Sequence, residues 1–270
     1  MEVNSICRPY RKYNEDMVIV IKDHLFIVID AATGLCDPFH EPSDGVYLLN
    51  ILKKELLDLY HKGKLNPKFF VNQMNRISRK YYRQYIKGKG ELERYQFPSA
   101  GIAICYIDIC NVHLYSIGDV SSYVKLKKGK DVYISDKSIP ILDKKTYEKY
   151  HQKGVYRFED MYETLRYNRS LLNKNGRKPS YSLYKNPHLK FKHQRFDIND
   201  LDSVYLCSDG YYAAFETFKL FKSRKELFAR NVNLESVYKK VNELSIKDVD
   251  CLEYPRVKQL DDVSAIKVEF

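Results

Sequence analysis

The chain has 270 residues, and its 46 lysines and arginines against 35 aspartates and glutamates give a formal net charge of +11. Hydrophobic residues make up 44% and aromatic residues 14%, a composition that is typical of a globular protein and argues against disorder. No apolar run is long enough to span a bilayer, and the N-terminus lacks the basic start and apolar stretch of a secretory signal. We therefore expect neither an integral membrane protein nor a secreted one.

The basic residues indicate which partners to expect, and the cysteines indicate the cellular compartment. The basic charge is spread along the chain, so we interpret it as a solvated surface and expect no nucleic-acid or membrane partner. The six cysteines form no C-x-x-C pair and have no histidine at zinc-finger spacing. Three of them lie in apolar, strand-like runs, where reduced buried thiols are usual. This pattern favours a cytoplasmic protein.

The first half of the chain alternates between strand and helix signals. Residues 17–21 and 25–29 are apolar and rich in β-branched residues, which predicts a hairpin of central strands buried on both faces. After a loop rich in Gly, Pro and Asp, leucines at helical spacing predict a helix over about 46–59, and a second helix is expected over 67–85. The period then returns to that of strands. One antiparallel meander is expected from residues 101–109, 112–117, 122–126 and 132–135.

The second half is less regular. Residues 136–202 are polar and rich in tyrosine, and helices are expected in them only around 144–152 and 159–172. A buried strand follows at 203–207, helical patterns fill 211–252, and a last strand covers 263–270. Because no repeat or Pro/Ser/Gly linker divides the chain, we expect one α+β domain over 1–270.

Acidic side chains recur beside these apolar strands. They are Glu15 and Asp16 before the first strand, Asp30 after the second, Asp119 in a turn, Asp209 after a strand, and Asp261 and Asp262 before the last. Alone, each aspartate is more typical of a turn or a helix cap. Strand ends can converge, however, and converging carboxylates repel one another unless they are protonated or hold a cation. Oxygen ligands suit Mg²⁺ or Mn²⁺, so the recurrence indicates a metal site.

Six segments, in chain order, resemble the PPM/PP2C-type metal-dependent Ser/Thr protein phosphatases. Residues 11–16 (RKYNED) match the family's R-x-x-N-E-D, and residues 26–34 (FIVIDAATG) resemble F-x-V-x-D-G-x-x-G. The others are 99–101 (SAG) beside G-S-T, 115–122 (YSIGDVSS) beside V-G-D-S-R, 206–211 (LCSDGY) beside L-x-S-D-G-L, and 261–266 (DDVSAI) beside D-N-x-T/S-V-I. Each segment is weak evidence alone. Their order, spacing and total length extend the resemblance over nearly the whole chain.

The resemblance implies a PP2C-like β-sandwich of two antiparallel sheets flanked by helices. It also implies that phosphoserine and phosphothreonine are hydrolysed by a water bridging two Mn²⁺ or Mg²⁺ ions. By this resemblance, Asp30 would bind both ions. Asp209 and Asp261 would be further ligands of one ion, and Glu15 and the Ala31 carbonyl would be ligands of the other. Alanine at position 31 replaces the family's usual glycine but keeps a carbonyl oxygen.

Two further roles and one departure follow from the resemblance. Asp16 is expected to hydrogen-bond waters held by the metals, and Arg11 to bind the substrate phosphate through its guanidinium fork. The family's optional third ion would use Asp119, but Ala213 stands where the second carboxylate belongs. We therefore expect the third site to be weak or empty.

The resemblance implies partners as well, and two rival functions stay open. The substrate would be a phosphorylated protein made by a cognate Ser/Thr kinase, the protein a monomer, and residues 136–202 a flap-like insertion near the substrate. A first rival is a pseudophosphatase that binds phosphoproteins without hydrolysis. Five retained residues weigh against it: Arg11, Glu15, Asp30, Asp209 and Asp261. A second is a nucleic-acid-binding protein, suggested by charge alone, which salt-sensitive binding without phosphatase activity would identify.

Overall fold

Two antiparallel β-sheets pack face to face, and helices cover their outer faces. The computed structural model describes residues 1–10, 12–66, 69–174, 178–185 and 189–270. The strands are β1 (Glu2–Arg8), β2 (Asp16–Ile21), β3 (Leu25–Ala32), β4 (Ser99–Ile107), β5 (Asn111–Ile117), β6 (Ser121–Leu126), β7 (Val132–Ile134), β8 (Tyr181–Ser182), β9 (Lys192–Asp197), β10 (Leu201–Cys207) and β11 (Val263–Glu269). The helices are α1 (Asp44–His61), α2 (Phe70–Tyr85), α3 (Ser138–His151), α4 (Tyr162–Ser170), α5 (Asp209–Glu216), α6 (Arg224–Leu227) and α7 (Leu234–Lys247).

The strand order confirms the expected α+β sandwich. One sheet runs β1-β11-β10-β6-β7, and the other runs β2-β3-β4-β5-β9, with β8 paired to β4. Their inner faces share a core that includes Phe26, Leu114 and Ile266. Helices α1 and α2 pack on the outside of the second sheet, and α5 and α7 on the outside of the first. Burial of these apolar surfaces drives the four layers together.

Two expectations about the strands are wrong. The first predicted strand, β2, lies at the edge of its sheet, and Val20 is 41% exposed, so only β3 is buried on both faces. The four predicted meander strands do not form one sheet, because β4 and β5 belong to one sheet and β6 and β7 to the other. The turn at Gly118 and Asp119 is therefore the crossing between the sheets. This crossing puts Asp119 at one end of the sandwich.

Residues 136–202, for which the sequence predicts two helices and no strand, contain α3, α4, β8 and β9. Strand β9 pairs with β5, but most of its residues are exposed, so it lacks the apolar alternation that identifies a strand. The long helical pattern over 211–252 is interrupted and forms three helices, α5, α6 and α7. The start expected at 67 for the second helix lies outside the described residues, and α2 begins at Phe70.

Helix α1 illustrates how the local sequence places an element beside the site. Ser43 is its N-cap, and the Ser43 hydroxyl accepts a hydrogen bond from the Val46 amide at 3.1 Å. Leu48, Leu52 and Leu56 then repeat every four residues and are fully buried against the sheet. In the part of the chain that is described, no helix has the length and apolarity needed to cross a membrane.

Candidate functional site

Aspartates from distant parts of the chain meet at one end of the sandwich. Asp16 begins β2 and is the direct cross-strand partner of Asp30 in β3. Asp209 follows β10 as the first residue of α5, and Asp261 precedes β11 by two residues. Because β10 and β11 are antiparallel neighbours, the end of one strand lies beside the start of the other. The fold thus brings together four of the residues expected at a metal site, and the sheet crossing adds Asp119.

Three glycines permit the close approaches that assemble this end. A Cβ at Gly210 would collide with the carbonyl oxygen of Asp262, so only glycine lets the start of α5 lie against the residues before β11. Gly118 has a φ of +85°, and a Cβ there would lie 2.6 Å from the Cα of Gly101. A Cβ at Gly101 would in turn lie 3.0 Å from Oδ1 of Asp119. The Asp119 carboxylate therefore occupies space that a side chain at 101 would fill.

The electrostatics show that these carboxylates act on one another. Burial raises the pKa of Asp30 well above its usual range, and the charges of Asp209, Asp16 and Asp119 raise it further. Burial followed by the charge of Asp119 likewise raises the pKa of Asp209. Burial raises the pKa of Asp261 to about 6, although Lys258 opposes the shift. Mutual repulsion of this kind favours either protonation or a bound cation.

The β2 side of the site is held by hydrogen bonds from the chain itself. The Glu15 carboxylate accepts hydrogen bonds from the Thr33 hydroxyl and, at 2.6 Å, from the Ser43 hydroxyl. It is thus directed at the N-terminus of α1. Asp16 is 5% exposed and accepts a hydrogen bond from the Ser264 hydroxyl at 2.7 Å. The Ala31 amide donates to the Glu15 carbonyl at 2.9 Å, which ties β3 to the same segment.

Asp262, whose role the sequence did not explain, anchors the loop before β2. Its two carboxylate oxygens accept hydrogen bonds from the amides of Tyr10 and Glu15, each at 2.7 Å. One side chain therefore anchors the backbone at both Tyr10 and Glu15. Arg11 itself lies outside the described residues, so its role as the phosphate-binding residue stays a prediction.

Three charged residues that the motifs do not include also lie at the site. Lys258 forms an ion pair with Asp261, and its charge also reaches Asp209 and Asp30. Arg169 donates to the Ser99 hydroxyl at 2.6 Å; burial lowers its pKa, and Asp143 and Asp119 oppose that shift. Asp143 on α3 has its pKa raised to about 7 by burial and by Asp119 and Asp209. No motif spacing identified Asp143, and the three-residue spacing of Lys258 and Asp261 is common on any surface.

A cavity of about 630 Å³ opens beside these carboxylates. Asp143, Asp209 and Asp261 line it together with Lys258 and Ala213, so Asp143 of α3 and the alanine of α5 share this cavity. Tyr147, Phe218 and Tyr254 contribute apolar wall. The candidate site therefore opens to a cleft between α3, α5 and the loop before β11.

The loop before β11 is ordered by one buried ion pair. Asp248 accepts a hydrogen bond from Arg256 at 2.5 Å and further bonds from the amides of Leu252, Glu253 and Tyr254. Arg256 donates in return to the carbonyls of Asp248, Tyr254 and Gln259. The side chains of Asp248 and Arg256 are 7% and 11% exposed. This ion pair with its hydrogen bonds, called here the Asp248–Arg256 lock, determines the path of the loop that carries Lys258 and Asp261.

The donor set fits a divalent cation in its chemistry. All candidate ligands are oxygens, which suits Mg²⁺ or Mn²⁺. Oδ1 of Asp209 is buried and accepts no hydrogen bond from the described residues, so it lacks the compensation that a buried charge requires. Among the described residues, six aspartates that raise one another's pKa face two basic side chains, Lys258 and Arg169. Within the described ranges, however, no three His, Cys, Asp or Glu side chains are grouped closely enough to hold an ion as they stand.

Comparison with solved structures identifies the fold. A bacterial serine phosphatase matches all of this chain and 97% of its own at a TM-score of 0.60 and 15% identity. The serine/threonine phosphatase Stp1 from Staphylococcus aureus matches all of this chain and 94% of its own at 0.59 and 14%. The chain has the fold of the PP2C-type phosphatases.

A third structure of this fold was solved with metal. The catalytic domain of the serine/threonine protein phosphatase PstP, in complex with two manganese ions, matches 99% of this chain and 97% of its own at a TM-score of 0.57 and 14% identity. No protein-family model and no curated protein sequence matches the chain. At these identities the agreement with solved structures concerns the fold of the PP2C-like chain.

Proposed function

We propose that this PP2C-like chain is a metal-dependent protein phosphatase that hydrolyses phosphoserine and phosphothreonine. One observation carries the proposal: aspartates from separate strand ends surround Asp30, at one end of a sandwich whose solved neighbours are serine/threonine phosphatases. A cluster of this charge needs cations, and the charge of phosphate needs them as well. Mn²⁺ or Mg²⁺, two per chain, would meet both needs.

We propose the residue roles that the family resemblance implies. Asp30 would be shared by both ions, with Asp209 and Asp261 on one side and Glu15 with the Ala31 carbonyl on the other. When bound, the ions would supply positive charge that polarises the phosphate and acidifies the attacking water. Glu15 would have to exchange at least part of its bonding to Thr33 and Ser43 for a metal. On the Asp209 side, the unpartnered Oδ1 is free to bind without such an exchange.

Substrate binding is assigned to the loop that Asp262 anchors. Arg11 would bind two phosphate oxygens through its guanidinium fork, and Asp16 would hydrogen-bond waters at the centre. Asp119 would hold a third ion only weakly, because Ala213 has no oxygen to contribute. We also propose residues 136–202 as a flap-like part of one domain, whose helix α3 lines the cleft through Asp143 and Tyr147.

The proposal is tested with Mn²⁺-dependent hydrolysis of an aryl phosphate and of a phosphothreonine peptide. We expect Asp30→Asn to abolish both activities with the fold intact, because it removes one charge shared by both ions. The matched control is Asp58→Asn, which changes an aspartate on the exposed surface of α1 where Asp58 pairs with Lys62. Full Mn²⁺-dependent turnover in Asp30→Asn would contradict the assignment.

A second candidate is a pseudophosphatase that binds phosphoproteins without hydrolysing them. The Lys258–Asp261 ion pair favours it, because an ammonium group already neutralises one of the expected ligands. This candidate predicts saturable binding of a phosphothreonine peptide with no release of phosphate at any Mn²⁺ concentration. In either case we propose a cytoplasmic monomer whose partner is a phosphorylated protein made by a Ser/Thr kinase.

A further inference from the structure

Lys258 brings a positive charge into the carboxylate centre from the chain itself. Its ammonium group forms an ion pair with Oδ2 of Asp261. The charges of Asp261, Asp209 and Asp30 all act on it. A single ammonium group thus lies in the field of three carboxylates to which the proposed function assigns one metal.

The position of the side chain leaves it able to move. The Lys258 side chain is 47% exposed, and it lines the cavity that also contains Asp209 and Asp143. A side chain that is half exposed in this way has solvent beside it into which its charged end can turn. Because water screens a pair of this exposure and the long side chain loses rotamer freedom in it, the paired form is favoured over the displaced one by about fivefold at most.

The backbone that carries Lys258 is, by contrast, fixed. The Asp248–Arg256 ion pair and the bond from Arg256 to the Gln259 carbonyl hold the loop on both sides of Lys258. The ammonium group is therefore tethered at short range to Asp261. A tethered group competes with a free ligand at a high effective concentration, whatever the solvent contains.

We propose that Lys258 is a tethered cation that neutralises Asp261 in the metal-free protein and must swing outward before a divalent ion can bind between Asp209 and Asp261. The inference rests on the metal centre of the proposed function, but it needs no hydrolysis. It predicts that metal affinity on this side is reduced by the fraction of molecules in which Lys258 is displaced. If that fraction is about one fifth, the apparent affinity falls about fivefold.

The test compares Lys258→Met with Lys144→Met in the full chain. Methionine keeps much of the apolar stem and removes the charge, and Lys144 is a second lysine of the same cavity that pairs with Glu148 on its own helix at 3.8 Å. Mn²⁺ binding is measured by calorimetry, and the melting temperature is measured in EDTA and in saturating Mn²⁺. We expect Lys258→Met to bind Mn²⁺ about fivefold more tightly and to melt lower than the parent in EDTA. The two proteins should melt together in saturating Mn²⁺, and Lys144→Met should behave as the parent throughout.

Three outcomes would overturn the proposal. Unchanged Mn²⁺ affinity and unchanged melting in EDTA would make Lys258 an ordinary surface lysine. Weaker Mn²⁺ binding would mean that Lys258 positions Asp261 for the metal rather than competing with it. No Mn²⁺ binding by either protein would mean that there is no ion to displace. Because neither readout uses turnover, an inactive protein that behaves as expected would refute the phosphatase proposal and leave the role of Lys258 standing.

Discussion

The two sides of the carboxylate centre are stabilised in opposite ways. On the β2 side, Glu15 and Asp16 accept hydrogen bonds from hydroxyl groups of Ser43 and Ser264. On the opposite side, Asp209 has a buried oxygen without a donor, and the partner of Asp261 is the half-exposed Lys258. Hydroxyl donors fixed by strands and caps preorganise a carboxylate, whereas a mobile ammonium can be replaced. One side of the centre therefore holds its carboxylates in position, and the other can exchange its positive charge.

The largest expected effect comes from breaking the Asp248–Arg256 ion pair, which orders the loop that carries Lys258 and Asp261. Arg256→Met removes one partner of the buried pair with Asp248 and leaves a carboxylate uncompensated, which typically costs about 3–5 kcal/mol. Denaturant unfolding measures the loss, and Mn²⁺ calorimetry should show weaker binding, because the path of the loop to Asp261 is no longer fixed. Arg79→Met is the control, since Arg79 is exposed on α2. A loss below 1 kcal/mol would mean that the lock does not order this loop.

A smaller loss of stability is expected when Asp262, which anchors the segment before β2, is replaced. Asp262→Ala leaves the amides of Tyr10 and Glu15 without their acceptor. Both residues are only partly buried, so water compensates in part and we expect a loss of about 1–3 kcal/mol. The same unfolding assay measures it. Asp262→Asn, which keeps one carbonyl oxygen, should lose less; equal losses would show that the charge rather than the accepted bonds matters.

Ser43 tests the contribution of a single hydroxyl on the fixed side. Ser43→Ala removes the N-cap of α1 and one donor to Glu15 at once. A lost cap alone costs about 1 kcal/mol. The comparison is Ser223→Ala, because Ser223 caps the short helix α6 by the same type of bond but touches no carboxylate of the site. A loss at Ser43 no greater than at Ser223 would mean that the bond to Glu15 adds nothing to stability.

The smallest expected effect is the pH dependence of stability that arises from the Asp248–Arg256 ion pair. Burial alone would raise the pKa of Asp248, but Arg256 and three backbone amides outweigh it and hold the pKa below its usual value. The carboxylate therefore contributes stability above the unfolded pKa of about 3.9 and loses it as the pH falls towards the folded value. We expect the difference in melting temperature between the parent and Asp248→Asn to be constant from pH 7 to 5 and to shrink below about pH 4. A difference that stays constant down to pH 3 would contradict this.

The sequence predicts the centre better than it predicts what surrounds the centre. Asp16, Asp30 and Asp209 could be found because each is adjacent to an apolar strand, and strand ends of a sandwich converge. Lys258 and Asp143 could not, because their positions depend on the Asp248–Arg256 lock and on the packing of α3, which no local pattern encodes. The sequence predicts the turn at Asp119 as part of one meander, because a short turn between two strands has the same signature whether or not the strands share a sheet.

Strand β11 has a consequence for how the molecule assembles. It pairs with β1 on one side and β10 on the other. Glu2 and Glu269, which are far apart in the sequence, are therefore cross-strand partners. During synthesis β1 must wait unpaired until residues 263–269 have left the ribosome, and contacts of such long sequence separation form slowly. Asp261 arrives with the same segment. This sheet and the charged centre are therefore completed together once residues 261–269 have emerged, and a nascent chain stopped before residue 261 should have neither.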